Sequence, residues 1–209
     1  GLVCFGNPAD APYTNNATEE YNGSSWTTVP GTYNSGRYIK VASRTQTEGL
    51  CCGGYNGSGN NNESEEYNGT GFSAGGALNT ARATCQDNGW GVQTAGVVAS
   101  GSVPGNTANV EEYYGSSFSE VNNVSTARRQ QASIGLVQTA GAICGGYVSA
   151  NTDATEEYDG TNWTSGGNLS PSRRGFAGSG TLTAGIVCSG YTTTVVANTE
   201  EYAGTSGTT

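Results

Sequence analysis

Apolar residues along this chain come in short runs set apart by longer polar stretches, and the alternation keeps a constant step. Five runs share one texture: Gly1-Leu2-Val3-Cys4, Gly49-Leu50-Cys51-Cys52, Gly96-Val97-Val98-Ala99, Gly141-Ala142-Ile143-Cys144 and Gly185-Ile186-Val187-Cys188. Each leads through a polar stretch to Glu-Glu-Tyr, with the tyrosines at 21, 67, 113, 158 and 202, spaced 46, 46, 45 and 44 residues apart. A turn follows each Tyr: Asn22-Gly23, Asn68-Gly69, Tyr114-Gly115, Asp159-Gly160 and Ala203-Gly204. Asn-Gly and Asp-Gly predict hairpin turns whose two central residues both have positive φ. Five residues after the Tyr stands an aromatic (Trp26, Phe72, Phe118, Trp163), and then an Arg (Arg37, Arg82, Arg128, Arg173).

No stretch has the 3.6-residue period of a helix, so each copy reads as four short antiparallel strands. In one copy the first strand lies near Ala132–Val137, and a tight turn through Gln138-Thr139 leads to the second, Ala142–Gly146. A polar loop, Tyr147–Ala154, leads to the third, Thr155–Tyr158, and the Asp159-Gly160 turn leads to the fourth, around Trp163. Four antiparallel strands in such a period match one propeller blade. The expected fold is all-β: a single β-propeller region over residues 1–209, with repeats near 1–48, 49–95, 96–140, 141–184 and a partial 185–209. On this reading the chain starts at a second strand and stops after a third. Two of about five blades are then incomplete, and an arc of a six- or seven-bladed ring in a longer chain is expected.

The order of these marks resembles the kelch repeat over essentially the whole chain: Gly-Gly (Gly53-Gly54, Gly145-Gly146), then Tyr158, then Trp163, then Arg173 opening the next strand. The chain departs from that pattern at Phe5-Gly6, Ser100-Gly101 and Ser189-Gly190, and at Gly207, where the last aromatic would stand. Phrases such as Gly76-Ala77-Leu78-Asn79-Thr80-Ala81-Arg82 and Gly166-Gly167-Asn168-Leu169-Ser170-Pro171-Ser172-Arg173-Arg174 are similar to kelch-type arrays in virion proteins of tailed phages. The resemblance implies a kelch-type β-propeller in a tail fibre or surface decoration, made in the host cytoplasm and placed on the virion, or otherwise extracellular. It implies other virion proteins and host-surface glycan as partners.

Composition narrows the picture. Hydrophobic residues make up only 34%, but charged residues are few at 12% and Tyr is frequent at 12 copies, the reverse of a disordered chain. The net charge of −9, with eight Lys and Arg in all, argues against nucleic acid as a partner, because phosphate contact needs clustered cations. No apolar run approaches the roughly 20 residues of a membrane-spanning helix, so no membrane insertion is expected. The sequence begins at Gly1 without an initiator Met or a charged and apolar leader. Of the six cysteines, Cys4, Cys52, Cys144 and Cys188 share a register position with Ala99, which marks small buried fillers rather than disulfides. Cys51 and Cys85 have no repeat equivalents.

There is no His. This removes Ser-His-Asp and Cys-His nucleophile systems and His-ligated metals, and no cofactor or metal is expected. Paired carboxylates serve glycosidases, yet adjacent residues on a strand point to opposite faces. The recurring Glu20, Glu66, Glu112, Glu157 and Glu201, each beside a second Glu, therefore read as architecture, with one Glu of each pair meeting the repeated Arg or a backbone amide of an adjacent blade. Arg37, Arg82, Arg128 and Arg173 read likewise, while Arg129 and Arg174 are extra cations free to face solvent or a partner. The oxygen-rich loop Asn56–Glu63 lacks the spacing of a calcium site and reads as solvated loop.

The variable segments 7–16, 55–64, 102–109, 147–154 and 191–198 lie between second and third strands, where repeat proteins place binding loops. Tyr55, Tyr147 and Tyr191 open three of them and are the candidate binding residues, suited to stacking on sugars. The expected function is non-catalytic: presentation of a propeller to host glycan or a virion partner. The rival is a polysaccharide-degrading enzyme with its catalytic set in the loops or outside this region.

Overall fold

The computed structural model describes residues 2–4, 17–29, 38–42, 45–83 and 89–204, with backbone only for 2–4 and 38–42. Among the described residues all regular structure is β, in five antiparallel sheets of three or four strands and one two-stranded hairpin. The three complete sheets each run in chain order from first strand to fourth: Tyr38–Ala42, Gly49–Tyr55, Ser64–Tyr67 and Phe72–Ala74; Gly89–Val92, Ala95–Ala99, Val110–Tyr113 and Phe118–Val121; Ala132–Val137, Ala140–Tyr147, Asn151–Tyr158 and Trp163–Ser165. Before them stands a sheet of Leu2–Cys4, Thr18–Tyr21 and Trp26–Thr28, and after them one of Ala177–Thr181, Ala184–Cys188 and Thr199–Tyr202. The first strands of successive blades lie side by side as the inner wall. This is the β-propeller expected from the period, and the five sheets are numbered here as blades 1 to 5.

The apolar runs form the second strands because both faces of a blade are covered by its neighbours. Leu50, Cys51 and Cys52, then Val97, Val98 and Ala99, then Ala142, Ile143 and Cys144 are all buried. Cys52, Cys144 and Cys188 form no disulfide, as the exchange with Ala predicts, and neither does Cys51, which has no repeat equivalent; burial pushes the Cys144 thiol up to about 11. Cys85 and Arg37 lie outside the described residues, as does the segment 7–16. Between blades 3 and 4 the spacing is set by Trp90, whose indole meets Tyr158 and Trp163 edge-on with centroids 6.2 and 6.0 Å away. A side chain on Gly135 or Gly141 would collide with that ring.

Two local expectations are corrected. The Asn-Gly and Asp-Gly turns are not two-residue turns. Tyr21 pairs with Trp26 and Tyr67 with Phe72, which leaves four-residue connections. Only the Gly takes positive φ. Asn22, Asn68 and Asp159 act instead as acceptors, each taking two backbone N–H bonds from residues two and three further on, the behaviour that suits Asx residues to turns. The polar segment 147–154 is also half strand. Asn151–Ala154 continues the third strand beyond a register shift at Cys144/Gly146, with Thr152 opposite Gly146 and Asn151 opposite Tyr147.

Candidate functional site

The repeated charged residues form the seams between blades. Arg82, Arg128 and Arg173 each lie on the linker between the fourth strand of one blade and the first strand of the next. Each side chain enters the next blade: Arg82 pairs with Glu111, Arg128 with Glu156 and Arg173 with Glu200. Arg128 also donates to the carbonyls of Gly145 and Ala154 at 3.2 and 2.7 Å, as Arg82 does to Ser100 and Asn109. The same carboxylates accept backbone N–H bonds from the linkers, Asn79 and Thr80 to Glu111, Ser125 to Glu156 and Ser170 to Glu200. The linker is held from behind as well, because the carbonyls of Arg82, Arg128 and Arg173 accept from Gly54, Gly101 and Gly146 of the preceding blade. Burial lowers the pKa of Arg82 and Arg128, while the facing Glu opposes that shift.

In four of the five pairs the second Glu has a different partner. Tyr67 donates to Glu20 at 2.8 Å, Tyr113 to Glu66 at 2.6 Å and Tyr158 to Glu112 at 3.0 Å, and Tyr202 donates to Glu157. One three-residue motif thus serves both faces of its strand. The first Glu and the Tyr face the preceding blade, and the middle Glu faces the following one. Burial and the carboxylate bond push the Tyr113 hydroxyl up to about 12, and raise Tyr158 and Tyr202 also. Glu201 is exposed in a cleft with Thr183, Ile186 and Tyr202, on the face that a following blade covers at Glu112 and Glu157.

Topology places the variable segments and the linkers at the same end. Each strand reverses direction, so the second-to-third connections and the fourth-to-first linkers share one end, and the hairpin turns occupy the other. At the first of these ends Tyr147 and Tyr191 come together through Arg174, whose guanidinium carbon lies 4.8 Å from the Tyr147 ring centroid and 5.0 Å from that of Tyr191. Arg129 lies 5.0 Å from the Tyr147 centroid. The alternation Arg129, Tyr147, Arg174, Tyr191 therefore runs across blades 4 and 5. Backbone pairs Arg129–Tyr147 and Arg174–Tyr191 fix it from below.

Two asparagines clamp the row. Asn106 accepts from Arg129 at 3.3 Å and donates to the carbonyls of Tyr147 and Val148. Asn151 accepts from Arg174 at 3.2 Å and donates to those of Tyr191 and Thr192. Sequence reasoning missed this pair, although the signal is present: Asn60, Asn106 and Asn151 all stand seven residues before the Tyr of their Glu-Glu-Tyr.

Tyr55 does not join the row. Its hydroxyl donates to the Gly57 carbonyl at 3.2 Å, and in blade 3 the positions of the Arg and Tyr are taken by Ala83 and Ser102, which pair through their backbones. The neighbouring loop oxygens are engaged locally, with Asn56 accepting from Ser58 and Gly59 and Asn61 from Glu63.

Comparison with known proteins bears on the fold. No family model matches the chain, and no curated protein matches it. Chains of known structure do match. The structure of YjhT superposes with a TM-score of 0.69 at 14% identity, covering 89% of this chain and 72% of that one. At that identity the likeness carries the propeller fold and nothing of activity.

Proposed function

We propose that this protein is a non-catalytic binding propeller of the kelch type, a structural and adhesive component of a phage virion whose loop end meets host-surface glycan or a virion neighbour. The observation that carries the reading is the division of labour between the repeated residues and the loop end. Arg82, Arg128 and Arg173 with their Glu partners, and Tyr67, Tyr113, Tyr158 and Tyr202 with theirs, are engaged across the seams between blades, whereas Tyr147, Tyr191, Arg129 and Arg174 gather at the end where the chain varies from copy to copy. Tyr191 is 39% exposed and offers the amphipathic ring that adaptable binding surfaces favour. The virion assignment rests on the phrase-level likeness of the linker segments 76–82 and 166–174 to phage repeat arrays.

The test is binding of the purified, labelled protein to an array of bacterial surface glycans and to intact bacterial cells. Retention on a subset of glycans, weakened by Tyr191→Ala, is the expected result. No retention on any glycan or cell surface contradicts adhesion.

A further inference from the structure

The three repeated arginines with described side chains all carry an ion pair: Arg82, Arg128 and Arg173. Arg129 and Arg174 stand immediately after two of them and are treated differently. Among the described residues neither has a carboxylate within ion-pair distance, although the chain carries 17 acidic residues against eight basic ones. Each gives one Nη to an Asn side-chain oxygen, and each lays its guanidinium against tyrosine rings. The rings and asparagines hold two like charges around Tyr147 while leaving other guanidinium donors unspent. Both side chains are half-buried, so their mutual repulsion is screened less than on an open surface. An anion laid across the row would relieve that repulsion and accept the remaining N–H groups.

We propose that Arg129 and Arg174, positioned by Tyr147, Asn106 and Asn151, form a carboxylate-binding site for an acidic saccharide, with Tyr191 as the platform beside it. The inference rests on the binding function above and names its ligand class. Guanidinium suits a carboxylate because its planar fork donates two parallel hydrogen bonds. Its stacking on tyrosine fixes the plane of the fork in advance, which lowers the ordering cost of binding. The exposed Tyr191 ring adds an apolar face for a pyranose. The overall charge of −9 repels polyanions at long range, so attraction by net charge does not produce retention.

The experiment measures binding of the whole chain to galacturonate oligomers, with neutral dextran oligomers and a Glu-rich peptide of equal charge as the other arms. Expected are saturable binding to the uronate, weaker binding as salt rises, and at least a tenfold loss in R129Q/R174Q with an unchanged melting temperature. R129K/R174K, which keeps the charge but not the fork, is expected to lose affinity as well. It decides the matter should the glutamine pair fail to fold. Uronate binding that is unaffected in both double variants overturns the site, as does equal binding of the peptide. Binding to neutral glycans that both variants retain, without uronate binding, removes the anion site but leaves the binding function standing. Absence of binding to the uronate and to dextran alike removes the anion site, and the adhesive reading then stands or falls on the glycan-array and whole-cell retention described above.

Discussion

A tyrosine hydroxyl facing a carboxylate at a blade seam makes stability depend on pH from the alkaline side. Tyr113 is held protonated up to about 12 by burial and by its bond to Glu66, against an ordinary value near 10. The unfolded chain releases that proton first as pH rises, so the stabilisation is complete below pH 10 and is lost on the way to about 12. Tyr158 and Tyr202 are raised in the same direction by burial and their Glu partners and add to the loss. Denaturant midpoints measured at a series of pH values should be level between neutral pH and about 10 and fall steadily above it. A level profile through the whole alkaline range contradicts buried Tyr–Glu seams. The sequence marks these residues as repeated but does not divide their roles. Two adjacent glutamates are chemically identical, and only their placement on opposite faces of a strand sends one to an Arg and the other to a Tyr.

Strand positions were legible because period, apolar runs and turn residues agree with one another. What the strand pattern hid was irregular backbone. The Gly-Gly pair closing the second strand takes positive φ at both residues, 64° and 106° at Gly53 and Gly54, and 57° and 105° at Gly145 and Gly146. Its first member is serine in blades 3 and 5, and Ser100 and Ser189 adopt φ of 63° and 62° all the same. A non-glycine residue in that region costs roughly 1–2 kcal/mol, and the buried Ser100 hydroxyl has no hydrogen-bond partner. Ser100→Gly should therefore stabilise the protein, by about 1 kcal/mol after the added freedom of the unfolded chain is discounted. A lower denaturation midpoint in that variant would show that the serine is held there by something other than backbone demand. The continuation of the third strand through Asn151–Ala154 escaped sequence reading for a related reason: it follows a register shift in polar residues, where alternation carries no signal.

At the scale of the whole molecule, blade faces and loop end have separate duties. Tyr147 and Tyr191 were legible as recurring loop aromatics, and Arg129 and Arg174 as surplus cations. Their union in one row was not, because it depends on which blades lie side by side. The central claim is that Glu-Glu-Tyr is the fastening between neighbouring blades. It is tested most directly by a double-mutant cycle on Glu66 and Tyr113, which stand in different blades and meet at 2.6 Å. Stabilities of E66Q, Y113F and the double variant, each from denaturant unfolding, give the coupling free energy. A coupling of about 1.5–3 kcal/mol, the range for a hydrogen bond to a charged group, is the result this arrangement predicts. Additive single effects, with coupling within about 0.5 kcal/mol of zero, contradict it.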